Sequence, residues 1–326
     1  MNEIKPGLYE AIITQRLSYA LTASGLEHER AKLGKDDAPA LLAQFLNALT
    51  LQTLESVDED DARTKQLEVV NAILATLERF NPGLAGDKVE LSSEFLQGVR
   101  AVGRNALPTP PSTPLSQSAL FTGAAAKPQL SNELLAEMRS ADRVDILVSF
   151  IKNSGLRVLE EGFKDLRNRN IPVRIITTTY MGATDAEAIE RLSGFPNVEI
   201  KVSYDTNSTR LHAKAYYFER ASGFSTAYVG SSNMSNPAMT GGLEWNLKAT
   251  QSDLPNILRA FEGEFGTYWN DPRFQVYQQQ RDAKKLKDAL IAGRTELTPG
   301  QSIILFDVTP RAYQQRILDT LEAERS

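Results

Sequence analysis

The chain has 326 residues, of which 41% are hydrophobic and 24% charged, and a net charge of −5. That composition suits two domains or one large one, and no apolar run reaches the roughly 18 residues needed to span a bilayer. With no cysteine and two histidines, disulfides, thiol nucleophiles, zinc ribbons and iron–sulfur clusters are excluded, and a histidine-rich metal site is not expected. The opening MNEIKPGLYE lacks the basic and then apolar stretch of a secretory signal, so the expected location is the cytoplasm.

Charge is unevenly spread. Residues 1–105 carry 11 Lys/Arg against 16 Asp/Glu, whereas the remainder is balanced at 25 and 25. The overall sign therefore neither announces nor forbids a local basic groove. Residues 1–105 read as a small all-α domain. Leu8, Ile12, Ile13, Leu17 and Leu21 form one apolar stripe; Leu41, Leu42, Phe45, Leu46 and Leu49 form a second; Leu67, Val70, Ile73, Leu74 and Leu77 form a third. All three are expected to be core. Pro82-Gly83 ends one helix, and Ser92 or Ser93 caps a predicted helix carrying Phe95, Leu96 and Val99. Asp58-Glu59-Asp60-Asp61 reads as a solvated helix start.

Residues 106–118 contain four prolines between Leu107 and Pro114 and read as an exposed, semi-rigid linker. Beyond it, over 119–280, strand runs at 144–150, 173–180 and 198–204 alternate with helical segments at 155–169 and 184–193. Such alternation predicts an α/β sheet sandwiched by helices. Further strands are predicted at 211–218, 226–232 and 244–250, with helices at 254–269 and near 282–292. Residues 281–326 read as a second linker and the start of another domain.

The chemistry concentrates in Leu211 to Asn246. If 211–218 is one strand, His212 and Lys214 share a face, with the small Ala213 and Ala215 on the other. Gly230-Ser231-Ser232-Asn233 and Glu244 follow. This HxK…GSxN arrangement resembles the HKD motif of the phospholipase D superfamily, and by organisation the resemblance covers about 119–275. It implies a phospholipase D-like fold and phosphodiester chemistry without a cofactor or metal. His212 would be the nucleophile, or the acid in an opposing half-site. Lys214 and Asn233 would hold the phosphate, Ser231 would assist at the turn, and Glu244 would hydrogen-bond the histidine and fix its tautomer. An imidazole can form a phosphohistidine, a second can act as acid and then base, and the lysine and asparagine supply the charge and hydrogen bonds a metal would otherwise give. The sequence departs from the motif in having Glu219 for the usual aspartate, expected to be a structural partner, and a longer interval before Gly230, expected to be a hairpin through Ser222-Gly223. Tyr216, Tyr217, Phe218 and Trp245 are expected in the core, and His28, in an acidic helical setting, outside any site. Thr178 and Tyr180 are expected at the rim of the site.

One HxK motif where the chemistry needs two histidines implies a homodimer with both copies of His212 near a two-fold axis. Thr309 to Gln315, through Arg311, Tyr313 and Gln314, resembles the segment before the Walker A loop of superfamily 2 helicases, though no GxxxxGK[ST] loop occurs. The expectation is therefore the amino-terminal part of a bacterial DEAD/DEAH-type helicase–nuclease fusion acting on nucleic acid, DNA above all, in DNA processing or phage restriction. ATP would serve only the absent motor, and no membrane partner is expected. Two alternatives stand beside it: a non-catalytic DNA-binding and dimerisation module for the helicase, and a lipid phosphodiesterase.

Overall fold

A computed structural model describes residues 4–57, 61–90, 92, 94–100, 107–123, 128–204 and 211–295. The helicase-like segment at 309–315, Asp58 to Asp60, Ser93 and residues 205–210 lie outside these residues. The chain divides into two compact units, Met1–Val99 and Arg100–Ser326.

In the first unit, α1 (Gln15–Ser24) begins where the Thr14 hydroxyl accepts a hydrogen bond from the Leu17 N–H at 3.1 Å, and it ends on Gly25 in the left-handed region. Helices α2 (Ala38–Glu55) and α3 (Ala62–Glu78) follow. Two expectations fail here. Residues 94–100 are not helical, and Phe95, Leu96 and Val99 are exposed. A short segment interrupted by Gly98 has too few packing contacts to offset helix nucleation. Nor are the apolar stripes a closed core, because no residue of α1, α2 or α3 is buried. Leu8 lies outside α1 and is fully exposed.

The second unit is built on a sheet of eight strands among the described residues: β1 (Ala119–Phe121), β2 (Arg143–Val148), β3 (Val173–Thr178), β4 (Val198–Ser203), β5 (Lys214–Glu219), β6 (Thr226–Gly230), β7 (Asn246–Thr250) and β8 (Phe274–Val276). Their spatial order is β1-β7-β6-β5-β2-β3-β4-β8. Strands β2, β3 and β4 are parallel, joined by α5 (Asn153–Asn168) and α6 (Ala186–Ser193) as crossovers, and every other pairing is antiparallel.

One face of the sheet, through Val144, Ile146, Val148, Ile175, Tyr216 and Tyr228, packs on Leu134 and Met138 of α4 (Leu130–Ser140) and on Leu156 and Phe163 of α5. Leu286 and Leu290 of α9 (Gln279–Thr295) join the same core. Residues 281–295 are thus part of this layer rather than a linker. The other face is covered by α8 (Pro255–Asn270), whose Phe265 and Leu258 pack on Leu147, Ile176, Ala215, Tyr217 and Ala249.

The sequence patterns did not reveal β1, β8, α4 or α7 (Asn236–Thr240). The two strands, with three residues each, are too short to show periodicity. Helix α4 is masked by its own buried face, which carries two acids, Glu133 and Glu137. Glu137 accepts hydrogen bonds from Tyr228 and Thr226 at 2.8 Å each, and it pairs with Arg220 and, at 3.1 Å, with Lys248. Lys248 also donates to the Thr113 carbonyl and hydroxyl. The Thr113 and Ser112 side chains both donate to Glu133, and Pro111 is buried. Instead of a free linker, residues 111–113 form a strap fastened to α4 and β7.

Candidate active site

Strand β5 starts at Lys214, three residues later than the expected 211–218, so His212 lies just ahead of the strand and Ala213 is exposed. The Ala213 carbonyl accepts from the Ser149 hydroxyl at 3.4 Å, an interaction outside the strand ladder. His212 and Lys214 nevertheless meet. The lysine side chain turns back so that Nζ is 2.8 Å from Nδ1 and 3.1 Å from Nε2 of the imidazole, and it donates to the His212 carbonyl at 2.8 Å. Among the described residues no other group hydrogen-bonds the ring. His212 is exposed, but partial desolvation and the neighbouring ammonium both hold the imidazole below its ordinary pKa, which favours the neutral, nucleophilic form. Burial likewise lowers the Lys214 pKa, opposed by the charge of Glu244.

The GSxN segment reaches the same place from β6. Register pairs Ala215 with Val229 and Val148 with Lys214, which brings Gly230 level with Lys214. Gly230 is required by a close approach, since a Cβ there would lie 2.1 Å from the Trp245 carbonyl oxygen. Buried Asn233 accepts from the Phe150 N–H at 3.1 Å through Oδ1, which leaves its amide nitrogen as the side chain's donor. Consecutive residues Ser149 and Phe150 therefore touch both halves of the motif. Beyond the turn, Met234 rests on α5: its carbonyl accepts from the Lys152 N–H, and Gly155 leaves room for its backbone.

Ser231 is committed to the turn, accepting from the Trp245 N–H at 3.0 Å and donating to the Trp245 carbonyl. Glu244 is half-buried, and no hydrogen bond joins it to His212 among the described residues; its charge acts on Lys214 and Tyr216 instead. The expected tautomer-fixing contact is therefore not made in this arrangement. Glu219 is ion-paired with Arg143, in keeping with a structural part, and Gly223 turns the longer hairpin at φ 84°. Tyr216, Tyr217 and Phe218 are buried, but Trp245 is 63% exposed, because it precedes β7 on a part of the sheet face that α8 does not cover. Thr178 is buried at the end of β3, where its hydroxyl accepts from the Tyr180 N–H. His28 is exposed.

Sequence reasoning missed Asn246. It is buried on β7, donates to the Ser232 hydroxyl at 2.8 Å and accepts from the Ser232 N–H at 3.4 Å. Its spacing from Asn233 depends on a loop of arbitrary length, so only the Gly230–Asn246 register brings it to the turn.

Residues 134–269 match the sequence model of a family described as cardiolipin synthase, PLD-like domain. The chain carries a phospholipase D-like domain. That matched stretch contains His212, Lys214, Ser231, Asn233 and Glu244. Among solved structures, NucT from Helicobacter pylori is 20% identical over 49% of this chain and 99% of its own, with a TM-score of 0.40. Nuc from Salmonella typhimurium, titled a phospholipase D family member, is 17% identical over 50% of this chain and 99% of its own, with a TM-score of 0.38. Phosphatidylserine synthase from Haemophilus influenzae is 12% identical over 54% of this chain and 44% of its own, also with a TM-score of 0.38. No curated protein matches the chain. No helix among the described residues is long and apolar enough to cross a membrane.

Proposed function

We propose that the phospholipase D-like domain is a metal-independent phosphodiesterase that cuts nucleic acid, DNA above all, through a phosphohistidine on His212. The observation that carries this reading is that Lys214 lies on the His212 ring while adjacent residues hold the two halves of the motif, the Ser149 hydroxyl on the Ala213 carbonyl between His212 and Lys214 and the Phe150 N–H on Asn233. A ring held neutral can attack phosphorus, and the Lys214 ammonium that now contacts it is placed to turn to the phosphoryl oxygens. The P–N bond forms as the P–O bond to the leaving group breaks. The leaving oxygen takes its proton from a second imidazole, which then removes a proton from the water that cleaves the P–N bond.

This chain has one HxK motif, so the second imidazole is His212 of a second copy. An exposed apolar row formed by Leu120, Leu247 and Val229 across β1, β7 and β6 suits such an association, since Leu120 pairs with Leu247 and Leu247 with Val229 in the sheet. The nucleic-acid reading draws on the helicase-like segment at 309–315, and with it the role in a helicase–nuclease fusion. A lipid phosphodiester is the second reading, favoured by the family description.

The test is cleavage of plasmid and single-stranded DNA in excess EDTA, beside phosphatidylcholine and cardiolipin vesicles, by wild type and His212→Ala. DNA cleavage in EDTA that is lost in the variant supports the reading. Cleavage that needs magnesium or survives the substitution refutes the histidine mechanism, and turnover of lipid alone selects the second reading.

A further inference from the structure

The geometry points to Asn246 as a positioning residue for Asn233, acting through Ser232; this inference rests on the proposed phosphodiesterase reading. The turn carrying Asn233 leaves the ladder after Gly230, so its conformation needs support from elsewhere. Three groups supply it. The Asn246 carboxamide grips Ser232 twice, through Nδ2 to the hydroxyl at 2.8 Å and through Oδ1 from the N–H at 3.4 Å. The Ser232 hydroxyl passes its own proton on to the Ala238 carbonyl at 3.1 Å, at α7. The Tyr216 hydroxyl donates to the Ser232 carbonyl at 3.2 Å from β5, two residues along from Lys214.

Ser232 is fully buried and Asn246 nearly so, which means that the clamp works without competition from water. An amide suits this position because the clamp needs one donor and one acceptor side by side. A carboxylate lacks the donor and would place a second charge beside Glu244, while an aliphatic side chain leaves the Ser232 N–H unpaired. The link to chemistry is short, since Asn233 follows Ser232 directly. A displacement of the turn moves the Asn233 amide away from where a phosphoryl oxygen would sit, and misplacement by about 1 Å costs on the order of 100-fold in rate.

The experiment is steady-state hydrolysis of bis-p-nitrophenyl phosphate in excess EDTA by the full chain. It compares wild type, Asn246→Ala, Ser232→Ala, Asn233→Ala and the double variants of Asn233→Ala with each of the first two. Asn246→Ala is expected to lower kcat by about 10- to 100-fold with KM little changed. In the Asn233→Ala background the same substitution should add almost nothing, because the group it positions is gone. Ser232→Ala removes one grip with little change of volume and should give the same pattern if Asn246→Ala folds poorly. An equal loss in both backgrounds, or an unchanged kcat in folded variants, overturns the inference while leaving the phosphodiesterase reading intact. A wild type that does not turn over in EDTA refutes that reading itself, and the positioning role with it.

Discussion

Glu137 offers the strongest test of how this sheet is held together. Its carboxylate is fully buried on α4 between two buried cations, Arg220 and Lys248, and it also accepts from Tyr228 and Thr226. Burial alone would raise its pKa, but Arg220 and Lys248 outweigh burial and hold it below the ordinary glutamate value of 4.5. Glu137→Ala strands both cations. Removing one partner of a buried ion pair costs about 3–5 kcal/mol. The two losses should not add to twice that, because Lys248 keeps both Thr113 acceptors and Arg220 keeps the Phe224 carbonyl and the Ser140 hydroxyl. For a unit of this size that corresponds to a Tm lower by roughly 6–20 °C.

The assay is thermal and urea unfolding followed by tryptophan fluorescence, because both tryptophans, Trp245 and Trp269, belong to the second unit. The pH dependence has a defined sign. A carboxylate with a depressed folded pKa stabilises above its unfolded value, about 4.5, and loses that contribution as pH falls through the folded pKa. Wild type should therefore lose stability below about pH 4.5, and Glu137→Gln should flatten that part of the acid limb. Lys248→Met should cost less than Glu137→Ala, since Glu137 keeps Arg220, Thr226 and Tyr228. A Glu137→Ala penalty under about 1 kcal/mol, against the range for buried pairs, would refute the reasoning.

Other outcomes follow from the site and the strap. Since partial desolvation and Lys214 lower the His212 pKa, the acid limb of kcat/KM should fall below the ordinary histidine range. Lys214→Met should leave any residual activity with that limb moved upward, as a pH–rate profile would record. Gly230→Ala places a Cβ 2.1 Å from the Trp245 oxygen and 2.6 Å from Asn246 Oδ1. It should lower stability by about 1–3 kcal/mol and abolish hydrolysis, measured by urea unfolding and by turnover; full activity would show that the turn tolerates the shift. Thr113→Val removes an acceptor from Lys248 and a donor to Glu133, and urea unfolding should show a loss of about 1–3 kcal/mol. Faster proteolysis near residue 113 than in wild type would accompany it.

What the sequence disclosed and what it hid divide along one physical line. β2, β3 and β4 were legible because each is a β-branched run separated by amphipathic helices, and both signals are local. His212, Lys214, Ser231 and Asn233 could be singled out because the motif sets them at short spacing, and the structure places Lys214 on the His212 ring and Asn233 on the Phe150 N–H. Apart from the short β1 and β8 and the segment at 94–100, the failures below involve partners distant in the chain. An acidic residue reads as surface until Arg220 and Lys248, far along in sequence, are seen to surround it, so α4 was lost with Glu137. A proline-rich stretch reads as a linker until Glu133 is found gripping Ser112 and Thr113. Trp245 reads as core until α8 is seen to leave its part of the sheet face bare.

The candidate site itself combines both kinds of information. The paired His212 and Lys214 are specified locally, and even the misplaced start of β5 did not part them, because the lysine stem is long enough to turn back across two residues. The second half of the motif depends on register. Had β7 paired with β6 one residue out of step, Asn246 would face the other side of the sheet and Ser232 would lose its grip. Lys248 shares the face of Asn246 on that strand and is locked by Glu137 and Thr113. A slip that moved Asn246 would also drag a buried ammonium from its partners. The ion cluster under α4 thereby protects the alignment on which the Asn233 amide depends, and this joins the stability test of Glu137 to the kinetic test of Asn246. Glu137→Ala should reduce kcat even at temperatures where the variant stays folded, and an unchanged kcat there would separate the two.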